Sequence, residues 1–239
     1  MKNKIFFRAA VLFKNKKRLK ILNLEIPSKI EKGQVLVKLS YSGICGKQID
    51  EIDGIGGKDK FLPHLLGHEG SGKVVDIGIG VRKVKKGDHV VLHWIKGSGI
   101  QSATPNYKYK DKKINAGWVT TFNEYAIVSE NRLTKISKNY DLRKAALFGC
   151  CVTTSMSLVF NKLKLRVSDN LMVVGAGGLG QIIIQCAKKF RSKIYVADVT
   201  NSSLLKAKKL GANKIFNLTK CSWSDIMKNI NYNKVVITT

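Results

Sequence analysis

The stretch Gly-Ala-Gly-Gly-Leu-Gly at residues 175–180 follows an apolar run at 171–174 and opens a helical pattern. In such a loop the first glycine permits a tight strand-to-helix turn, the second lets the backbone approach a pyrophosphate, and the third lets the helix pack on the strand. Unpaired N–H groups at the helix N-terminus then favour the anion. We therefore predict a dinucleotide loop with these cofactor-binding residues: Gly175, Gly177, Gly178, Leu179 and Gly180.

An acidic residue follows the loop at the spacing that such a site requires. Asp198 lies 18 residues beyond Gly180, near the roughly 20 residues expected for the carboxylate that binds an adenosine ribose. A carboxylate at this position repels a 2'-phosphate, so we expect NAD as the cofactor rather than NADP.

Hydrophobic periodicity around the loop alternates between strand and helix. It predicts helices at 179–190, 202–210 and 223–230, and strands at 171–174, 193–198, 214–217 and 234–238. This register is typical of a Rossmann doubly wound parallel sheet. A relic of the same fold that no longer binds nucleotide is the alternative.

The first part of the chain has a different pattern. Before about residue 150 it is rich in valine, glycine and short alternating runs such as 34–40 and 71–77, which favour a small β-rich unit. We therefore predict two domains, at 1–150 and 151–239, and a fold class of β followed by α/β.

Composition limits the class of protein. No run approaches the ~20 apolar residues that span a bilayer, and Arg8 interrupts the apolar start with no cleavage pattern after it. We expect no membrane association. Five cysteines at irregular spacing argue against a disulfide framework, so we expect a cytoplasmic protein in which Cys151, Cys186 and Cys221 are structural thiols.

The net charge of +27 is extreme for 239 residues. It suggests either a polyanionic partner or a lysine-rich solvated surface. Lysines are scattered over both halves, and no base-reading module or aromatic platform is evident. We therefore expect no specific nucleic-acid partner, although the charge would attract anionic substrates.

Three residues of the first half form a candidate metal set. Cys45 precedes a predicted helix, His68 precedes a strand expected to begin around Lys73, and Cys150 stands at the entrance of a helix. Two cysteines and one histidine are a recognised ligand set for catalytic zinc. Singly, each residue is equally explained as a buried thiol or a core histidine, and separations of 23 and 82 residues show no local metal-site pattern.

Several segments together resemble the zinc-dependent medium-chain alcohol dehydrogenases. Gly-Ile-Cys-Gly, Gly-His-Glu-Gly-Ser-Gly, Lys-Gly-Asp-His-Val, Gly-Cys and the glycine loop occur in that family's order, starting at residues 43, 67, 86, 149 and 175. The resemblance runs from about Val35 to the end and implies a GroES-like catalytic domain followed by a Rossmann domain, with zinc and nicotinamide meeting between them.

The resemblance also implies site residues and a reaction. Cys45, His68 and Cys150 would hold one catalytic zinc, with Glu69 a nearby carboxylate able to join the metal and Thr154 near the nicotinamide. Zinc would polarise the oxygen of a small alcohol, polyol or sugar-like secondary alcohol, or of the matching carbonyl compound, while hydride passes to or from NAD. A non-catalytic nucleotide-binding remnant is the alternative.

Three residues depart from the family pattern where it usually relays the substrate proton. Lys47 replaces a serine or threonine, Gln48 an aspartate, and Asp50 the relay histidine of some members. Lys47 would need a depressed pKa, or would donate a hydrogen bond from its ammonium group, if it does not simply point to solvent.

The next departure concerns the segment after the strand predicted near Val90. No cysteine lies between His93 and Trp118, so no structural zinc is expected. Residues 97–115 are predicted to form a polar loop, either a flexible surface insertion or an element that covers the substrate. His93 and Trp94 are expected to line the substrate pocket or to pack in the core.

The resemblance implies further strands beyond the fourth Rossmann strand, where this chain stops at Thr239. We therefore expect a partial Rossmann sheet, in a fragment of a longer product or in a truncated protein. An apolar edge at 235–237 would favour association, including association into a homo-oligomer.

Overall fold

The computed structural model describes residues 5–238 and contains two compact units, Met1–Cys150 and Cys151–Thr239. The expected fold class, a β unit followed by an α/β unit, is confirmed. Within residues 5–238, no helix has the length and apolar composition needed to cross a membrane.

Between residues 5 and 150, the first unit contains ten strands and two α-helices. The strands are β1 Phe6–Leu12, β2 Lys20–Glu25, β3 Gln34–Ser42, β4 His64–Leu65, β5 Glu69–Ile77, β6 His89–His93, β7 Asn106–Tyr109, β8 Lys112–Asn115, β9 Tyr125–Ser129 and β10 Leu133–Ile136. The helices are α1 Gly46–Asp53 and α2 Leu142–Ala146, with 3-10 turns at Glu130–Arg132 and Leu147–Gly149.

These strands form a closed barrel and an open sheet. The barrel order is β1-β2-β7-β8-β4, and the five-stranded antiparallel sheet has the order β10-β6-β5-β3-β9. Alternation along β1 buries Phe7, Ala9 and Val11 in the barrel, as the two-residue period of a strand requires. β5 begins at Glu69 rather than near Lys73, because Glu69 already pairs with His93 of β6.

The prediction of a polar loop at 97–115 is wrong for residues 106–115. They form the hairpin β7–β8, two strands of the barrel. Tyr107 and Ile114 face each other across the hairpin and are 1% and 0% exposed. Residues 106–115 are not a flexible surface insertion, because apolar residues alternate with lysines and the apolar side chains pack in the barrel. In strands of only four residues this alternation is difficult to recognise from the sequence.

The second unit is a four-stranded parallel sheet with helices. Its strands are β11 Asn170–Val174, β12 Lys193–Asp198, β13 Lys214–Asn217 and β14 Lys234–Ile237, and its helices are α3 Cys151–Ser157, α4 Gly178–Lys188, α5 Asn201–Leu210 and α6 Trp223–Asn229. A π-helical turn, Leu158–Lys162, continues α3. The predicted helices and strands of this unit are confirmed, with bounds that shift by two residues or fewer.

The sheet order β13-β12-β11-β14 places the fourth strand beside the first, as the Rossmann pattern predicts. Alternate residues of β11 face opposite sides of the sheet. Leu171 and Val173 pack with Ile183 of α4, whereas Met172 packs with Ile226 of α6. At the edge strand β14, Val235 and Ile237 are exposed, as the predicted apolar edge requires.

The Tyr107 hydroxyl gives a test of the corrected hairpin. It accepts a hydrogen bond from the backbone N–H of Ile127, at 3.0 Å, inside the barrel. We expect Tyr107→Phe to lower the free energy of unfolding by about 1–3 kcal/mol, because a buried donor would lose its partner. Urea unfolding measures the loss. Tyr109→Phe, on the same strand but half-buried, is the control, and equal losses in both variants would contradict this role of Tyr107.

Candidate metal centre and nucleotide loop

Three segments of the first unit bring two thiols and an imidazole together. Cys45 is the N-cap of α1, His68 lies between β4 and β5, and Cys150 follows the 3-10 turn Leu147–Gly149. One ligand atom from each lies within 4.8 Å of the other two. The structure thus unites the three residues that the sequence singled out as a metal set.

Two glycines allow these segments to approach. A β-carbon at Gly43 would collide with the side chain of Glu69, and one at Gly149 would collide with the Glu69 backbone and the Leu92 carbonyl. Glu69 itself is 2% exposed. Because each glycine lies one or two residues from a candidate ligand, the close packing at Glu69 determines where Cys45 and Cys150 lie relative to His68.

The chemistry of this donor set fits zinc. Ligands on a tetrahedral zinc lie about 3.5–3.8 Å apart, given Zn–S near 2.3 Å and Zn–N near 2.0 Å, and the three atoms are close enough to adopt such an arrangement. Burial lowers the pKa of His68, which favours the neutral imidazole that metals bind. Three protein ligands would leave a fourth position for water or substrate.

Gln48 positions the turn that carries His68, a role that the sequence analysis missed. It is buried, its side-chain oxygen accepts a hydrogen bond from the backbone N–H of Gly67, and its amide donates to Glu51 at 2.9 Å. The sequence signal was the replacement of the family's usual aspartate, which was considered only for the proton path. An amide can donate and accept at once, so Gln48 connects α1 to the metal turn.

A cavity of about 730 Å³ borders this set, lined by His68, Lys47 and Trp118 among others. The Lys47 side chain is 69% exposed, and its Nζ lies 3.7 Å from Asp50. His93 and Trp94 are not among the described lining residues. The ring of His93 donates through Nδ1 to the carbonyl of Ile95, and burial lowers its pKa.

In the second unit, the glycine loop has three different backbone environments. Gly175 adopts φ +96°, a left-handed conformation that favours glycine. A β-carbon at Gly180 would collide with the carbonyl oxygen of Gly175, which explains the close packing of α4 on the turn. A β-carbon at Gly177 would meet nothing within 4 Å, so this position lies open at the N-terminus of α4, followed by Gly178 and Leu179.

Asp198 and Thr154 lie on elements beside the loop. One carboxylate oxygen of Asp198 accepts from the N–H of Ala176 at 2.6 Å, and the other accepts from Thr200 at 2.7 Å. Thr154 is on α3, whose Ser155 hydroxyl donates to the carbonyl of Leu179. Thr238, which the sequence analysis did not consider, donates to the carbonyl of Gly175 at 3.0 Å.

Comparison with known proteins shows which proteins this chain is similar to. Residues 31–138 match the family model of the alcohol dehydrogenase GroES-like domain. An S-(hydroxymethyl)glutathione dehydrogenase of Photobacterium damsela subsp. piscicida is 32% identical over 237 residues, which are 88% of this chain and 63% of that protein. The chain thus spans about 63% of the length of the curated relatives it matches.

Solved structures share the fold. Benzyl alcohol dehydrogenase from Acinetobacter calcoaceticus has a TM-score of 0.85 at 26% identity, over 98% of this chain and 71% of that one. An Escherichia coli CFT073 protein described as a short chain alcohol dehydrogenase complexed with NADH has a TM-score of 0.80 at 24% identity, over 98% and 69%. By sequence and fold, the chain is similar to alcohol dehydrogenases, and its first unit contains the GroES-like domain of that family.

Proposed function

We propose that this protein is an NAD-dependent, zinc-containing dehydrogenase that transfers hydride between NAD(H) and a small alcohol, polyol or sugar-like secondary alcohol, or the matching carbonyl compound. The observation that carries the proposal is the convergence of Cys45, His68 and Cys150 within 4.8 Å, in a chain whose second unit has the dinucleotide loop. In this proposal residues 1–150 are the catalytic domain and 151–239 the NAD-binding domain.

Zinc, when bound, would supply a Lewis acid that lowers the pKa of an alcohol or polarises a carbonyl. Cys45, His68 and Cys150 would hold it and leave one position for the substrate oxygen. Glu69, buried beside the set, is the carboxylate that would join or exchange at the metal. The described residues provide one such thiolate site, so we propose one catalytic zinc here.

The glycine loop and Asp198 would hold NAD. The open backbone at Gly177 and the first N–H groups of α4 would face the pyrophosphate. The positive end of the dipole of this 11-residue helix would favour the negatively charged phosphates. Each carboxylate oxygen of Asp198 accepts one backbone N–H, so lone pairs remain for the ribose hydroxyls. Thr154, on α3, would contact the nicotinamide.

Lys47 would orient the substrate rather than act as a base. Its Nζ is solvent-exposed at the cavity and close to the Asp50 carboxylate, so its ammonium can donate a hydrogen bond to a substrate hydroxyl. The lysine-rich charge of the chain would attract anionic small-molecule substrates.

Cobalt substitution tests the metal ligands. Wild-type protein loaded with Co²⁺ should show thiolate-to-cobalt charge-transfer absorption in the near ultraviolet. Cys150→Ser should lower the absorption per bound ion to that of one thiolate, and weaken binding at this site by more than the roughly 10–100-fold that loss of an outer-shell partner costs. Cys221→Ser is the matched control, because Cys221 contacts the Asn217 carbonyl far along the sequence. Unchanged absorption in Cys150→Ser would refute the metal assignment.

A single methyl group tests the nucleotide loop. Gly177→Ala adds a β-carbon that meets no protein atom but would occupy the space expected for the pyrophosphate. We expect the dissociation constant for NADH, measured by fluorescence titration, to rise at least about tenfold, or ~1.4 kcal/mol, with unchanged thermal unfolding. Gly56→Ala, where a β-carbon also meets nothing, should bind NADH normally. Normal NADH binding by Gly177→Ala would rule out this pyrophosphate position.

Turnover separates the enzyme from a non-catalytic remnant. Zinc-loaded protein should reduce NAD with at least one member of a panel of primary alcohols, secondary alcohols and polyols, and reduce NADP far less. We expect Cys45→Ser to abolish this turnover while NADH binding persists. Tight NADH binding without turnover on the whole panel would instead favour the remnant.

A further inference from the structure

A second group of potential ligands lies in the first unit, apart from Cys45, His68 and Cys150. Glu51 is on α1, Asp59 lies in the segment between α1 and β4, and His64 begins β4. One ligand atom from each lies within 4.8 Å of the other two. His64 Nε2 is 2.7 Å from Asp59 Oδ2 and 3.9 Å from Glu51 Oε1, and His64 is 5% exposed.

Each of these three side chains has its other polar atom fixed by a residue outside the group. His64 Nδ1 donates to the carbonyl of Leu65 at 2.9 Å. Asp59 Oδ1 accepts from the N–H of Phe61 at 2.8 Å, and Glu51 Oε2 accepts from the Gln48 amide at 2.9 Å. The remaining atom of each, Nε2, Oδ2 and Oε1, therefore points to a common place.

The hydrogen bond between His64 Nδ1 and the Leu65 carbonyl indicates which nitrogen of the ring is available to a ligand. A carbonyl only accepts, so Nδ1 carries a proton, and Nε2 of a neutral ring is then an acceptor. When Nε2 carries no proton, its lone pair lies beside two carboxylate oxygens, and these three atoms form a donor set that a metal ion can bind. A metal-binding histidine almost always donates its second nitrogen to a carbonyl or carboxylate in this way, and ligating carboxylates are themselves hydrogen-bonded, as both are here.

We propose that Glu51, Asp59 and His64 form a second metal site, which takes a divalent first-row ion such as Zn²⁺ or Mn²⁺. Two carboxylate oxygens and one imidazole nitrogen suit these ions, and the two negative charges balance a divalent cation. Glu51 and His64 also line the cavity of about 730 Å³, so coordination positions left open by three protein ligands would face solvent or a small oxygen-containing ligand.

Without metal, Nε2 of His64 and Oδ2 of Asp59 are 2.7 Å apart, a hydrogen-bond distance. Metal–ligand distances of about 2.0–2.2 Å would require these two atoms to move apart by several tenths of an ångström. Asp59 lies in residues 54–63, which form no helix or strand, so this adjustment requires no shift of a regular element. Metal binding would replace this hydrogen bond.

This site differs from the sulfur-containing set in chemistry as well as in residues, so the two can be counted separately. The full chain, stripped with a chelator, is titrated with Co²⁺ and, in parallel, with Zn²⁺ and Mn²⁺ followed by elemental analysis. We expect two equivalents of Co²⁺, of which only one gives thiolate charge-transfer absorption. Cys45→Ser combined with Cys150→Ser should keep one equivalent without that absorption.

Removal of the carboxylates is the direct test. Glu51→Gln with Asp59→Asn should keep the charge-transfer band and bind the other equivalent at least about 100-fold more weakly. Asp53→Asn with Asp111→Asn is the charge-matched control, since both are exposed and Asp53 is on the same helix. His64→Gln gives an independent loss of the site should the double variant fold poorly.

Two results would overturn the proposal. One is a wild-type chain that binds a single equivalent of each metal. The other is a second equivalent that binds as tightly to the Glu51→Gln, Asp59→Asn and His64→Gln variants as to wild type. Absence of charge-transfer absorption alone would refute the proposed catalytic zinc and leave this second site standing, so the two proposals fail separately.

Discussion

Close packing of backbone around Glu69 is the constraint on which the first unit's candidate site depends. Gly43 and Gly149 both lie against this one residue, and neither could carry a side chain without moving it. Cys45, His68 and Cys150 lie far apart in sequence, so no local motif could bring them together. Instead, Gly43 and Gly149 have no β-carbon, and this lets three separate segments come into contact with the buried side chain of Glu69.

In the second unit, the glycines of the loop differ in whether packing requires them. Gly180 is required by the fold, because α4 passes against the carbonyl of Gly175. Gly177 has no such requirement within the described protein, and its neighbours leave open space. The loop thus combines a glycine needed for packing with one whose side-chain space is open, where the proposed pyrophosphate would lie.

The sequence predicted the second unit well, because its elements depend on local periodicity and on glycines at fixed spacing. It predicted the first unit less well. The hairpin β7–β8 was missed because its pattern becomes visible only when Tyr107 and Ile114 close the barrel. The metal set came from family resemblance, not from spacing. Glu51, Asp59 and His64 were not considered, since only the path from α1 to β4 brings them together.

Gln48 contacts both groups of candidate ligands, the one that contains His68 and the one that contains Glu51. Its side-chain oxygen accepts from Gly67, next to His68, and its amide donates to Glu51. A shift of Glu51 toward an ion would pull on the same amide that orients the neighbouring turn. The two groups are therefore linked through the geometry of one side chain. A substitution of this buried glutamine would be expected to disturb both groups at once.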